Sequence, residues 1–136
     1  MLETEDIPLP APDKARAYAD CALRLEAAAA AAGHGIEVDT WYELPAYGEA
    51  LEQAYSLGIV DGRLSAAGFD LEAINARPAE QLKAMPPAEV RRYLHALWRC
   101  ERHTHGYGSP VLDAVRSGAL GIAASRLAAC CNPAAR

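Results

Sequence analysis

Between residues 13 and 32, Tyr18, Cys21, Ala22, Leu25, Ala29 and Ala32 recur at steps of three and four, the spacing of one helix face, and Gly33 supplies the stop. The face is rich in alanine, so a second backbone can approach it closely. Ahead of this helix, Pro8, Pro10 and Pro12 stand among acids and predict an extended arm over residues 1–12. Residues 35–44 alternate poorly around Val38, Trp41 and Tyr42, which favours a loop over a short strand. Tyr47, Leu51, Ala54 and Tyr55 then mark a second helix ending at Gly58, followed by a turn over Ile59, Val60, Asp61 and Gly62. Short helices are predicted over residues 70–76 and 78–84, with Pro87 opening the next.

The strongest pattern covers residues 88–103. Val90, Tyr93, Leu94, Leu97 and Trp98 line one side. On a wheel of 100° per residue, Arg91, Arg92, His95, Arg99 and Arg102 fall within an arc of roughly 100° on the other. Ser109 and Pro110 read as a cap and a first-turn proline, Gly118 closes that short helix, and Leu120, Ala123, Ala124 and Leu127 form the last one. No strand pattern and no internal repeat emerges. The expectation is an all-α fold: a compact single-domain helical bundle of five to seven helices over residues 13–136, with a short extended N-terminal arm.

Length and composition agree with that expectation. A chain of 136 residues that is 51% hydrophobic and 23% charged has room for one compact core and little room for two. No run approaches the roughly 18 apolar residues of a spanning helix. The acidic start, Met1 to Asp6, is unlike a secretory signal, so a cytoplasmic location without membrane contact is expected. Cys21, Cys100, Cys130 and Cys131 are then expected as thiols. The net charge of −5 conceals an asymmetry. Residues 1–72 hold 14 acids against 4 bases, and residues 73–136 hold 4 acids against 9 bases.

Arg91, Arg92, His95, Arg99 and Arg102 form the first candidate site, because guanidinium forks suit anions or an acidic partner. The same face would also serve as plain solvated surface. The acidic overall composition favours a protein partner over nucleic acid. Glu101 is the second candidate. It lies on the apolar side of its helix near the C-terminus, where the dipole disfavours an anion, so something must compensate it. Arg116, Arg126 or backbone N–H groups of the helix starting near Pro110 could do so; a structural anchor is the preferred reading and a general base in a cleft with His103 and His105 the alternative.

The run from Cys100 to His105, with Cys130 and Cys131, lacks the paired ligand spacing of a zinc site, and no metal or other cofactor is expected. No phosphate loop, nucleophile elbow or dinucleotide fingerprint is present in the sequence.

The stretch from Val90 to Arg102, then Gly106, Leu112 to Ser117-Gly118, and Arg126-Leu127, resembles a family of small bacterial proteins of unknown function. Its members show a helix ending in Glu-Arg-Phe or Asp-Arg-Phe, a glycine, a short helix closing in Ser-Gly, and a final helix bearing Arg-Leu. This chain has His103 in place of the aromatic residue. The resemblance implies helices and a bacterial source, and brings no activity with it.

The function expected from the sequence is a non-enzymatic module that binds a protein partner through the arginine face, a mobile-element or phage-related inhibitor or regulator being one form of it. The alternative is a small enzyme or ligand-binding protein with a cleft around Glu101, His103 and His105. The alanine faces and aromatic residues are also compatible with a homodimer.

Overall fold

The computed structural model describes residues 8–33, 35–62, 64, 79–103 and 108–131. These form an all-α bundle: α1 (Pro12–Ala32), α2 (Val38–Glu43), α3 (Pro45–Ser56), α4 (Ala79–Leu82), α5 (Pro87–His103), α6 (Pro110–Ser117) and α7 (Ala119–Cys131). The helix expected over residues 70–76 lies outside the described residues. No described helix is long and apolar enough to cross a membrane.

Proline and glycine set most of the boundaries. Pro12, Pro45 and Pro110 open α1, α3 and α6, where a missing N–H costs no helical hydrogen bond. Gly33, Gly58 and Gly118 follow α1, α3 and α6 with positive φ. Gly118, at φ 84°, takes the left-handed position that lets its N–H reach the Val115 carbonyl and turns the chain directly into α7.

The small last helix is the hub. α7 packs against α1, α4, α5 and α6, and its buried residues are Ala119, Leu120, Gly121, Ala123, Ala124, Leu127 and Cys131. Because most of these are slender, four neighbours can approach one axis. The seam with α1 is the most extensive, and α1 presents Ala15, Ala19, Ala22 and Ala29 among its own buried residues.

Two sequence expectations are corrected. Residues 38–43 form a helix rather than a loop, because burying Trp41 completely and pairing its indole N–H with Ser109 stabilises a turn that local propensity leaves undecided. The basic side of α5 is also only in part an exposed face: Arg102 is exposed and Arg92 and Arg99 are half-buried, whereas Arg91 and His95 are interior. Every residue from Tyr93 to Trp98 is buried, His95 included, and Arg91 is 3% exposed.

The segment after α3 covers that side of the helix. Arg91 donates to the carbonyls of Gly58 (2.6 Å), Ile59 (3.2 Å) and Pro8 (2.7 Å), and lies 3.4 Å from an Asp61 carboxylate oxygen. His95 Nδ1 accepts the Asp61 N–H at 3.1 Å. One buried guanidinium thus holds the turn after α3, and through Pro8 it fastens the arm to the body. Residues 8–11 are non-helical and Leu9 packs against the core; residues 1–7 of the expected arm lie outside the described residues.

Candidate functional site

Glu101 sits in the last turn of α5, 1% exposed, where α3 and the start of α6 converge. Four groups build its surroundings. Tyr47, on α3, donates its hydroxyl to Oε2 at 2.7 Å. Ser109, the N-cap of α6, places Oγ at 2.7 Å from Oε2 and 2.9 Å from Oε1. The Val111 N–H, in the first turn of α6, donates to Oε1 at 3.1 Å. Trp41 Nε1 and the Leu112 N–H both donate to Ser109 Oγ at 3.0 Å.

The arrangement answers the electrostatic problem posed by the sequence. A buried carboxylate at the unfavourable end of α5 is turned towards the favourable end of α6, with hydroxyl and amide donors around it. Two side-chain hydroxyls and one backbone N–H, not an arginine, are therefore what the structure uses. Arg116 instead reaches the Ile36 carbonyl, and Arg126 the Met85 carbonyl.

The hydrogen-bond inventory restricts the chemistry. Ser109 gives its one proton to Glu101 and accepts two hydrogen bonds, so both its lone pairs are occupied and none is presented for nucleophilic attack. Burial and the neighbouring Glu101 carboxylate raise the Tyr47 phenol above its ordinary value, which keeps it a donor. Glu101 accepts from three donors, leaving about one of its four lone-pair positions open.

Aromatic rings frame this network. Tyr47 packs against Trp41 (centroids 5.4 Å, 60° between planes), Tyr42 (5.3 Å, 57°) and Trp98 (6.3 Å, 48°), all in the range of favourable tilted contacts. Tyr42 also donates its hydroxyl to the Gly108 carbonyl at 2.8 Å. Helices α2 and α3 thereby clamp the α6 entry onto α5.

Beside the network lies a cavity of about 360 Å³, lined by Tyr47, Leu51, Glu52, Tyr55, Glu101 and Arg102. Its walls are mostly apolar. The Tyr55 hydroxyl is buried and has no hydrogen-bond partner among the described residues. A second depression of about 600 Å³ is more open and lies along α1 and α7. There the Glu26 carboxylate accepts the Gly121 N–H near the start of α7.

The candidates read from the sequence separate accordingly. Arg91 and His95 belong to the interior, Arg92 and Arg99 are half-buried, and Arg102 is exposed at the cavity rim. Glu101 lines the cavity as the cleft reading requires, yet its oxygens are engaged as an anchor requires. His105 lies outside the described residues, and His103 is placed only as the last residue of α5. Cys21, Cys100, Cys130 and Cys131 are not joined in disulfides, and no described cluster of His, Cys, Asp or Glu is arranged to hold a metal ion.

Sequence reasoning missed Tyr47, Tyr55, Ser109 and Trp41 as parts of one site. The available signal was Glu101 itself: a carboxylate on an apolar helix side calls for donors, and tyrosine, tryptophan and a serine cap are the donors that tolerate burial. Comparison with protein-family models, curated proteins and solved structures finds no match for the chain.

Proposed function

We propose that this protein binds a small organic ligand in the cavity between α3 and α5. The observation that carries the reading is a mostly apolar cavity of about 360 Å³ lined by Tyr47, Leu51, Glu52, Tyr55, Glu101 and Arg102. A volume of this size falls within the range of small-molecule sites, which combine apolar walls with a few fixed polar groups. Beside the cavity, Tyr47, Glu101 and Ser109 are buried and bonded to one another, so one wall is held in place before a ligand arrives.

The arginine-face reading is weaker after the fold is known, since Arg91 and His95 are committed to the interior. Amide chemical-shift mapping with a fragment library tests the cavity. Ligands that shift Leu51 and Tyr55 in the wild type and lose this effect in Leu51→Trp, whose indole would fill the space, support the site. Fragment binding that Leu51→Trp leaves unchanged sinks it.

A further inference from the structure

We infer that the ligand of this cavity is an uncharged, apolar molecule the size of about two fused rings. This rests on the ligand-binding reading above and gives it a chemical class. Three observations lead to it: the polar atoms the inner wall withholds, the surface it presents, and the size of the space.

The polar atoms are closed to a ligand. Glu101 is 1% exposed, and its oxygens are held by the Tyr47 and Ser109 hydroxyls and the Val111 N–H. The Tyr47 hydroxyl is committed to that carboxylate, and its ring is packed by Trp41, Tyr42 and Trp98. The Tyr55 hydroxyl is itself buried, so its oxygen is not offered to the space. Among the described residues of the lining, the remaining charges are Glu52 and Arg102, both exposed and of opposite sign. Solvated at the rim, the two together select neither a cation nor an anion. A polar or charged group that enters gives up its water and finds no partner inside, which is unfavourable.

The surface on offer is carbon. Tyr47 and Glu101 are almost wholly covered, which leaves Leu51 and Tyr55, both half-buried, as the inner residues with surface to lose. An apolar ligand that covers them is held by the removal of that surface from water and needs no hydrogen bond. The volume sets the scale: a dry apolar cavity of about 150 Å³ takes one benzene ring, so about 360 Å³ has room for two.

The test uses four probes on the intact chain, each titrated while amide shifts at Leu51 and Tyr55 are followed. Toluene, phenol and benzylammonium share one ring and differ in the group it carries, and indane adds a second ring. Toluene should bind at least about tenfold more tightly than phenol, whose hydroxyl either loses its water or holds the ring towards the rim, and benzylammonium should be the weakest. Indane, with two more carbons to bury, should bind about tenfold more tightly than toluene.

Phenol or benzylammonium binding as tightly as toluene overturns the apolar assignment while the cavity reading stands. Indane binding more weakly than toluene overturns the assigned size. Failure of all four probes to shift Leu51 and Tyr55 overturns both the class and the cavity reading.

Discussion

Glu101 and His95 are both polar groups inside the bundle, and they depend on opposite solutions. Glu101 is surrounded by donors, so Glu101→Gln would turn an amide NH₂ either against the Val111 N–H or towards the Tyr47 and Ser109 hydroxyls, whose protons now point at it and would have to turn away. The expected loss is about 2 to 4 kcal/mol in urea denaturation. Ser109→Ala removes one hydroxyl from the same network and a helix cap, with an expected loss nearer 1 to 2 kcal/mol. A Glu101→Gln protein as stable as the wild type would contradict the anchor role. His95 is held neutral: burial first, then the charges of Arg99 and Arg91, push its imidazole down to about 4, with Asp61 opposing. Between that value and the ordinary 6.5 the unfolded chain binds a proton that the folded chain refuses. Stability is therefore complete above pH 6.5, falls as the pH drops from 6.5 towards 4, and stops falling from this source below 4. The full effect is on the order of 3 kcal/mol. His95→Asn, whose side-chain oxygen can accept the Asp61 N–H, should flatten this part of the pH profile; a slope unchanged by the substitution would assign the proton elsewhere.

At the scale of elements, α5 is where sequence and structure diverge most usefully. The repeat of Val90, Tyr93, Leu94, Leu97 and Trp98 made the helix and its apolar side legible, and proline and glycine marked most of the other boundaries. A helical wheel gives directions, however, and not what comes to lie in those directions. The turn after α3 folds over Arg91 and His95, a contact between residues some 30 apart in sequence that no local pattern encodes. The same distance problem hid the site: Tyr47 and Glu101 are 54 positions apart and Trp41 and Ser109 are 68. The need of Glu101 for donors was readable, while their identity required the fold. Because Arg91 bonds three carbonyls from two segments, Arg91→Met should do more than lower stability. We expect a loss of about 3 kcal/mol and faster hydrogen exchange at residues 8–11 and 58–61 together. Faster exchange in only one of the two segments would show that Arg91 does not couple the arm to the turn.

For the whole molecule, the decisive feature is that its central helix is its slimmest. Hydrophobic collapse usually places large side chains at the centre, whereas here α7 offers glycine and alanines beside Leu120 and Leu127, and much of the bulk is supplied by Tyr18, Leu25, Leu94 and Trp98 from around it. Close backbone approach leaves little space to rearrange, so the centre should tolerate added volume poorly. A Cβ at Gly121 would occupy the place of the Glu26 carboxylate, which sits against it and accepts its N–H. Gly121→Ala makes the Glu26 carboxylate, the flexible end of a half-buried side chain, swing aside and give up that hydrogen bond, so it should gain less than the ~1 kcal/mol by which alanine favours helix over glycine. Ala124→Leu, at a fully buried position, should cost about 1 to 3 kcal/mol through overpacking. The two effects have different remedies. If displacement of Glu26 offsets the gain at Gly121, adding Glu26→Ala should restore it to about 1 kcal/mol, since the carboxylate no longer competes for the space. The same partner change should leave the cost of Ala124→Leu as it was. A double-mutant cycle in urea measures both. Equal relief at the two positions would mean that α1 shifts as a body to accommodate any added volume, and the tight seam between α1 and α7 would not be what organises the fold.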